Sequence, residues 1–221
     1  MDATQNLRIN MSHVRHPIEA ESFRIIESLH DWSVYSKAEK EILQRIVHST
    51  GDPEVVHGLT ISDGAIEGAV NAFKNHATVV TDVTMVQHGF NRKNRERIQY
   101  ETYCGVHDPE AYILAEKEGV TRSSAAILQA RKHFGDNVIV AVGNAPTALI
   151  ETVKLVEKGW RPHLVIGLPV GFVNTCECKD AIRGQNDVPY ITNEGFRGGS
   201  TWTVAAINAL MTVYLEGYYE Q

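Results

Sequence analysis

Two short apolar runs that end in the same way constrain this chain more than any other feature. Val138-Ile-Val-Ala-Val142 breaks at Gly143 and leads through Asn144, Ala145 and Pro146 to Thr147. Leu164-Val-Ile-Gly-Leu168 breaks at Pro169 and continues through Val170 and Gly171 to Phe172. Apolar runs of about four to eight residues bounded by turn signals suit strands buried on both faces, as in a parallel sheet covered by helices. In such sheets small molecules bind just beyond the carboxyl ends of the strands, which is where Gly143–Thr147 and Pro169–Phe172 fall.

The flanking segments carry helical periodicity. Pro17 opens a helix over 18–30 with Phe23, Ile26 and Leu29 on its inner face. Ser36 and Glu39 form a capping box before Ile42, Leu43, Ile46 and Val47, and Gly51, with Pro53 beyond, stops that helix after His48. A helix over 63–75, capped by Ser62, turns Ala65, Ile66, Ala69, Val70 and Phe73 inward. Residues 77–82 read as a strand, and 91–97 as a polar loop or exposed helix start. Helices over 121–134, 147–158 and 201–215 complete an alternation that predicts an α/β fold of three layers, a mainly parallel sheet flanked by helices. The chain reads as a single domain over 1–221, with 1–15 as a flexible N-terminal extension.

Bulk properties exclude several classes. A formal charge of −6 over 221 residues provides no basic face for nucleic acid. No run approaches the ~20 apolar residues of a membrane span, and the first residues lack signal-peptide regions, so the expected compartment is the cytoplasm. Cys104, Cys176 and Cys178 make no disulfide framework, and Cys176-x-Cys178 lacks both the spacing and the second pair of a zinc ribbon. The ten histidines show no metal-protease spacing. No metal site and no cofactor are expected.

The candidate chemical groups lie at helix ends. His48 sits in the last turn of its helix, where the partial negative charge favours an imidazolium suited to donating a proton. A histidine that only caps the last carbonyls fits the same position. Gly143–Thr147 and Gly198-Gly199-Ser200-Thr201 put glycine turns before helices, where unpaired N–H groups attract carboxylates or phosphates, although ordinary capping explains them equally. Neither matches a dinucleotide or Walker fingerprint. Arg122 and Arg197 could pair with carboxylates or stand as solvated surface charges.

Taken together, Ile18-x-x-x-Ser22-Phe23, Ile46-Val-His48, Asp82-x-x-Met85-Val86 with Gly89, Thr121-Arg122-Ser123, Gly143-Asn-Ala-Pro-Thr-Ala-Leu149, Pro169-Val-Gly-Phe-Val173 and Gly198-Gly-Ser200 resemble the precorrin-8X methylmutase family, from about Ile18 to Leu210. The resemblance implies an isomerase of cobalamin biosynthesis that moves a methyl group from C-11 to C-12 of a tetrapyrrole, giving hydrogenobyrinate, or cobyrinate if cobalt is present. It places the catalytic histidine at His48. It places substrate contacts at Ser22, Asp82, Thr121, Arg122, Ser123, Gly143, Asn144, Ala145, Pro146, Thr147, Pro169, Gly171, Phe172, Gly198, Gly199 and Ser200. It implies a homodimer with the tetrapyrrole near the subunit interface, and neighbouring cobalamin-pathway enzymes as candidate partners. The chain departs from the family at Asn174-Thr-Cys-Glu-Cys178, at Thr84, and at Asn193-Glu-Gly-Phe-Arg197, where Glu194 replaces a positive charge. A non-catalytic corrinoid carrier and a small-molecule α/β enzyme of another type are the competing readings.

Overall fold

In the computed structural model, residues 16–220 are described, and the extension expected over 1–15 lies outside them. The two apolar runs form adjacent central strands of one sheet. Its strands are β1 (Leu59–Ile61), β2 (Thr78–Thr81), β3 (Thr102–Tyr103), β4 (Val138–Val142), β5 (Leu164–Gly167) and β6 (Tyr190–Asn193). They lie in the order β1-β6-β5-β4-β2-β3, parallel except for β1, which pairs antiparallel with β6 at one edge. Every residue of β2, β4 and β5 is buried, as strands covered on both faces require.

The period of two along β4 divides the core. Ile139 and Ala141 join Val79, Leu164, Ile166 and Ile191 on one face. Val138, Val140 and Val142 join Val80 and Val165 on the other. The first face is covered by α1 (Pro17–Glu27), α2 (Lys37–Thr50), α3 (Ala65–Lys74), the short α4 (Thr84–His88) and α5 (Arg92–Ile98), and α10 (Ser200–Glu216). The second is covered by α7 (Arg122–Phe134), α8 (Pro146–Glu157) and α9 (Thr175–Arg183), with α6 (Pro109–Glu118) packed on α7. The expected three-layer α/β architecture is therefore the one observed.

From β2 the chain runs outward to β3, returns past β2 to β4, and then proceeds the other way through β5 to β6. The direction of winding reverses between β2 and β4, and the loops leaving their carboxyl ends open a crevice there.

Some local expectations change. The first helix ends at Glu27, and Leu29 is exposed beyond it. Ser62 does not cap α3: Gly64, in the left-handed region, holds the N-cap place. The Ser62 hydroxyl instead accepts the Tyr190 N–H at 2.7 Å, extending the pairing of β1 with β6. The polar 91–97 segment is a helix, opened by the Asn91 side chain accepting the Asn94 N–H at 3.0 Å.

The capping box of α2 is present as expected. Ser36 Oγ accepts the Glu39 N–H at 3.2 Å, and Glu39 Oε2 accepts the Ser36 N–H at 2.8 Å. Gly51, at φ 65°, ends the helix. Ser36→Ala should lower stability by about 1 kcal/mol with no loss of secondary structure, measured by denaturant unfolding followed by circular dichroism.

Candidate active site

Asp82 leaves β2 at the reversal point, and its side chain is fully buried. Its carboxylate accepts the N–H groups of Gly143 at 2.9 Å, Asn144 at 2.8 Å and Ala145 at 2.6 Å. Burial pushes the carboxyl above its ordinary range, and the three N–H donors pull it back down. The anion cradle expected at Gly143–Ala145 is thus filled from within the chain. Asp82, expected to touch substrate, has no surface with which to do so, and its role here is to hold the turn.

Gly143 is needed for packing. A Cβ there would lie 2.8 Å from Val86 Cγ2, 2.9 Å from Thr203 Oγ1 and 3.0 Å from Ser200 Cα. Its absence lets α4 and the start of α10 close over the turn. Beyond it, the starts of α7 and α8 are tied together. Thr121 Oγ1 caps Ser124 N–H at 3.2 Å and lies 2.9 Å from Thr147 Oγ1, while Ser124 Oγ donates to the Thr147 carbonyl at 3.0 Å. Arg122 is exposed, with its guanidinium 4.8 Å from the Tyr112 ring centroid and one N–H donated to the Tyr112 hydroxyl at 2.6 Å. Ser123 beside it is half-buried.

The other lip consists of two interlocked loops. Gly199 N–H donates to the Leu168 carbonyl at 2.8 Å, and Gly171 N–H to the Phe196 carbonyl at 3.2 Å. A Cβ at Gly198, whose φ is +151°, would lie 2.5 Å from the carbonyl oxygens of both Leu168 and Pro169. Pro169 and Gly199 are buried, whereas Phe172 projects into solvent.

Lys179 holds this lip from beneath. Fully buried on α9, it donates to the Gly195 carbonyl at 2.9 Å and the Arg197 carbonyl at 2.6 Å. Desolvation lowers its ammonium to about 8. Sequence reasoning passed over this residue, although Thr175, Cys178, Lys179 and Ile182 share one helical face and are all buried. The same helix separates the two neighbouring thiols: Cys178 is buried, donating to the Thr175 carbonyl at 3.2 Å, while Cys176 is half-buried.

His48 lies near the end of α2. Its exposed ring stacks on Phe23, centroids 5.2 Å apart and planes 27° apart. With Ser22, Ile25, Leu29 and Pro53 it lines a cleft of about 230 Å³ between α1 and α2. Arg45 and Ser49, on the adjoining surface of α2, line a second and largely apolar cleft of about 330 Å³ with Met85, Gly89 and Ser200. An Asp52–Arg197 ion pair joins the end of α2 to the glycine lip. The predicted residues therefore fall into three groups: Ser22 with His48, the Thr121–Arg122–Thr147 cluster, and the two glycine-containing loops. A cleft of about 550 Å³ lies elsewhere, at the opposite end of the sheet beside Ser62 and Tyr190. It holds none of these groups.

A doubly wound α/β domain with its polar and glycine-rich turns gathered at the carboxyl edge is the class this arrangement defines. Comparison with known proteins narrows it. The precorrin-8X methylmutase family model matches residues 17–213. The cobalt-precorrin-8 methylmutase of Methanocaldococcus jannaschii is 37% identical over 178 residues, 80% of each chain. That of Priestia megaterium is 38% identical over 194 residues, 87% of this chain and 85% of the relative. The crystal structure of the Thermus thermophilus precorrin-8X methyl mutase superposes with a TM-score of 0.83 at 37% identity, covering 90% of this chain and 96% of that one. The chain belongs to the precorrin-8X methylmutase family, whose members are isomerases of cobalamin biosynthesis that migrate a methyl group within the molecule.

Two outcomes follow from the site's internal contacts. Asp82→Ala leaves the buried Gly143 N–H and the part-buried N–H groups of Asn144 and Ala145 without their acceptor and should cost on the order of 3 kcal/mol, measured by chemical unfolding. Between pH 8 and 10.5 an unfolded Lys179 binds a proton that the folded one has lost, so this group makes stability rise with pH across that window. Because the Cys178 thiol, pushed up by burial, acts in the opposite sense above pH 9, the check is the difference between proteins: the unfolding free energy of the wild type minus that of Lys179→Met should grow as pH rises from 8 to 10.5.

Proposed function

We propose that this chain catalyses a 1,5-sigmatropic shift of a methyl group from C-11 to C-12 of precorrin-8X or its cobalt form, with His48 as general acid. The observation that carries the proposal is the exposed His48 imidazole, fixed against Phe23 in a cleft with Ser22 at the end of α2. A proton lent to a ring nitrogen draws electrons from the conjugated system and weakens the C-11 bond to the methyl group. That bond breaks as the bond to C-12 forms. The product is an isomer of the substrate, so a proton returns to His48 and no redox cofactor is needed. A positioned acid contributes about 10²–10⁴-fold, and the remainder comes from holding the macrocycle close to the geometry of migration.

In this reading the other predicted residues bind. Arg122 and the helix starts at Thr147 and Ser200 receive carboxylate arms. Pro169, Gly171, Gly198 and Gly199 shape the lip, and Asp82 acts on substrate only through the turn it holds. A cleft of about 230 Å³ is below the usual range of about 300–1,000 Å³ for a small-ligand site, so the macrocycle extends beyond it. The exposed Ile18, Ile25 and Leu29 beside it support a homodimer whose second copy completes the enclosure. The three free thiols fit a reducing cytoplasm, and the product passes to neighbouring enzymes of the pathway.

His48→Ala should lower kcat by roughly 10²–10⁴-fold while product affinity and fold persist. The measurement is single-turnover visible spectroscopy with both metal-free and cobalt-loaded substrate. Near wild-type turnover in this variant would remove the acid role. A wild-type protein that binds the macrocycle without changing its spectrum would instead be a carrier.

A further inference from the structure

The turn Glu194–Arg197 faces the carboxyl edge, and its charged groups are already engaged. Glu194 Oε1 accepts from Arg183 Nη1 at 2.8 Å, and Arg197 pairs with Asp52. From below, Lys179 Nζ holds the Gly195 and Arg197 carbonyls, and Asn193 Nδ2 donates to the Arg197 carbonyl at 2.8 Å. The apolar side chain this turn presents outward, between the ion-paired Glu194 and Arg197, is the ring of Phe196, 50% exposed. It lies 5.3 Å, centroid to centroid, from the ring of Phe172, which is 85% exposed, with the planes inclined by 40°.

Two neighbouring aromatic rings in water are unfavourable unless something covers them, because burial is worth about 25 cal/mol per Å² of apolar surface. Both rings have fixed mounts. Phe172 stands three residues before the start of α9, and Phe196 lies on the turn that leads to α10. The Gly171 N–H bond to the Phe196 carbonyl keeps the two loops in register. Each ring thus stands beside a helix N-terminus, whose unpaired N–H groups attract anions. An apolar platform with an anion-attracting rim complements a flat conjugated ring that carries carboxylate arms.

We propose that Phe196, together with Phe172, is a contact for the face of the substrate macrocycle, and that buried Lys179 is the positioning residue that fixes Phe196 for that contact. This rests on the tetrapyrrole reading above and adds to it: at this turn the enzyme reads the ring and not a carboxylate.

The test uses the full chain, with hydrogenobyrinate titrations and turnover both followed by visible absorption. A wild type that neither binds nor converts the macrocycle removes the underlying reading and leaves nothing for Phe196 to contact. With an active wild type, Phe196→Ala and Phe172→Ala should each weaken product affinity about tenfold and raise KM while kcat changes little. Lys179→Met should weaken affinity in the same direction. Combined with Phe196→Ala it should add nothing further to the loss of affinity, which a purely structural lysine would not produce. Should Lys179→Met fail to fold, the two surface phenylalanine variants decide alone. Product affinity within twofold of wild type in Phe196→Ala overturns the proposal. So does a loss of affinity accompanied by a change of oligomeric state in sedimentation, because the rings would then be an interface between copies.

Discussion

Asp82 holds together the part of the molecule where the sheet changes its direction of winding. Its buried carboxylate gathers the N–H groups of Gly143, Asn144 and Ala145. Three donors at 2.6–2.9 Å fix the turn that starts α8. That turn supplies Thr147, whose hydroxyl meets Thr121 and so sets the start of α7. On the opposite side, the bare Cα of Gly143 admits Val86, Ser200 and Thr203, which fixes α4 and the start of α10. One internal carboxylate therefore registers four helix starts against the ends of β2 and β4.

The proposed acid depends on this framework indirectly. α2 packs against α10, and the Asp52–Arg197 pair anchors the segment after α2 to the loop that precedes α10. His48 thus inherits its position from α10, whose start is fixed by close packing at Gly143. Arg45 strengthens the arrangement. It lies 5.0 Å from the Phe23 ring and pairs with Glu19 at 2.8 Å, joining α1 to the same surface of α2 that carries His48. The histidine stands on a helix with both neighbours secured, so its position is preorganised more firmly than a loop would allow.

Strong local signals made part of this legible in the chain itself. β4 is read to the residue because its apolar run is long enough and ends at a glycine, and α2 to within two residues, its end falling at Thr50 and not His48, because a capping box and a glycine bracket its stripe. The strands that were missed, β1, β3 and β6, are three, two and four residues long, and only their partners make them strands. α6 lacks a clean stripe because Tyr112 and Ile113 face solvent. At the site, the resemblance points to turns that the fold gathers at the carboxyl edge, but the bond from Asp82 to Gly143 spans 61 residues and no spacing rule reaches it. Lys179 and Phe196 escaped for a related reason. Their significance appears only when α9 is laid beneath the turn before α10 and the loop after β5 is laid beside it.

The charge distribution decides which forces can hold an anionic macrocycle at this edge. The chain carries a net −6, so long-range attraction is absent, and salt screens what remains beyond about 8 Å at physiological ionic strength. Arg45, Arg183 and Arg197 each have carboxylate partners within the chain. Arg122 is different: the partner described for it is the neutral Tyr112 hydroxyl, which leaves its charge uncompensated at close range. The other positive potential comes from helix starts, and the Asp82 carboxylate already takes up that of Gly143–Ala145. In the proposed binding mode apolar contact carries most of the affinity, and exposed apolar surface is in place: Phe172 and Phe196 on one lip, and Ile25 and Leu29 beside His48. An enzyme that holds its substrate by the ring needs only a few rim contacts, Arg122 and the helix starts, to orient the arms while it constrains the atoms between which the methyl group moves.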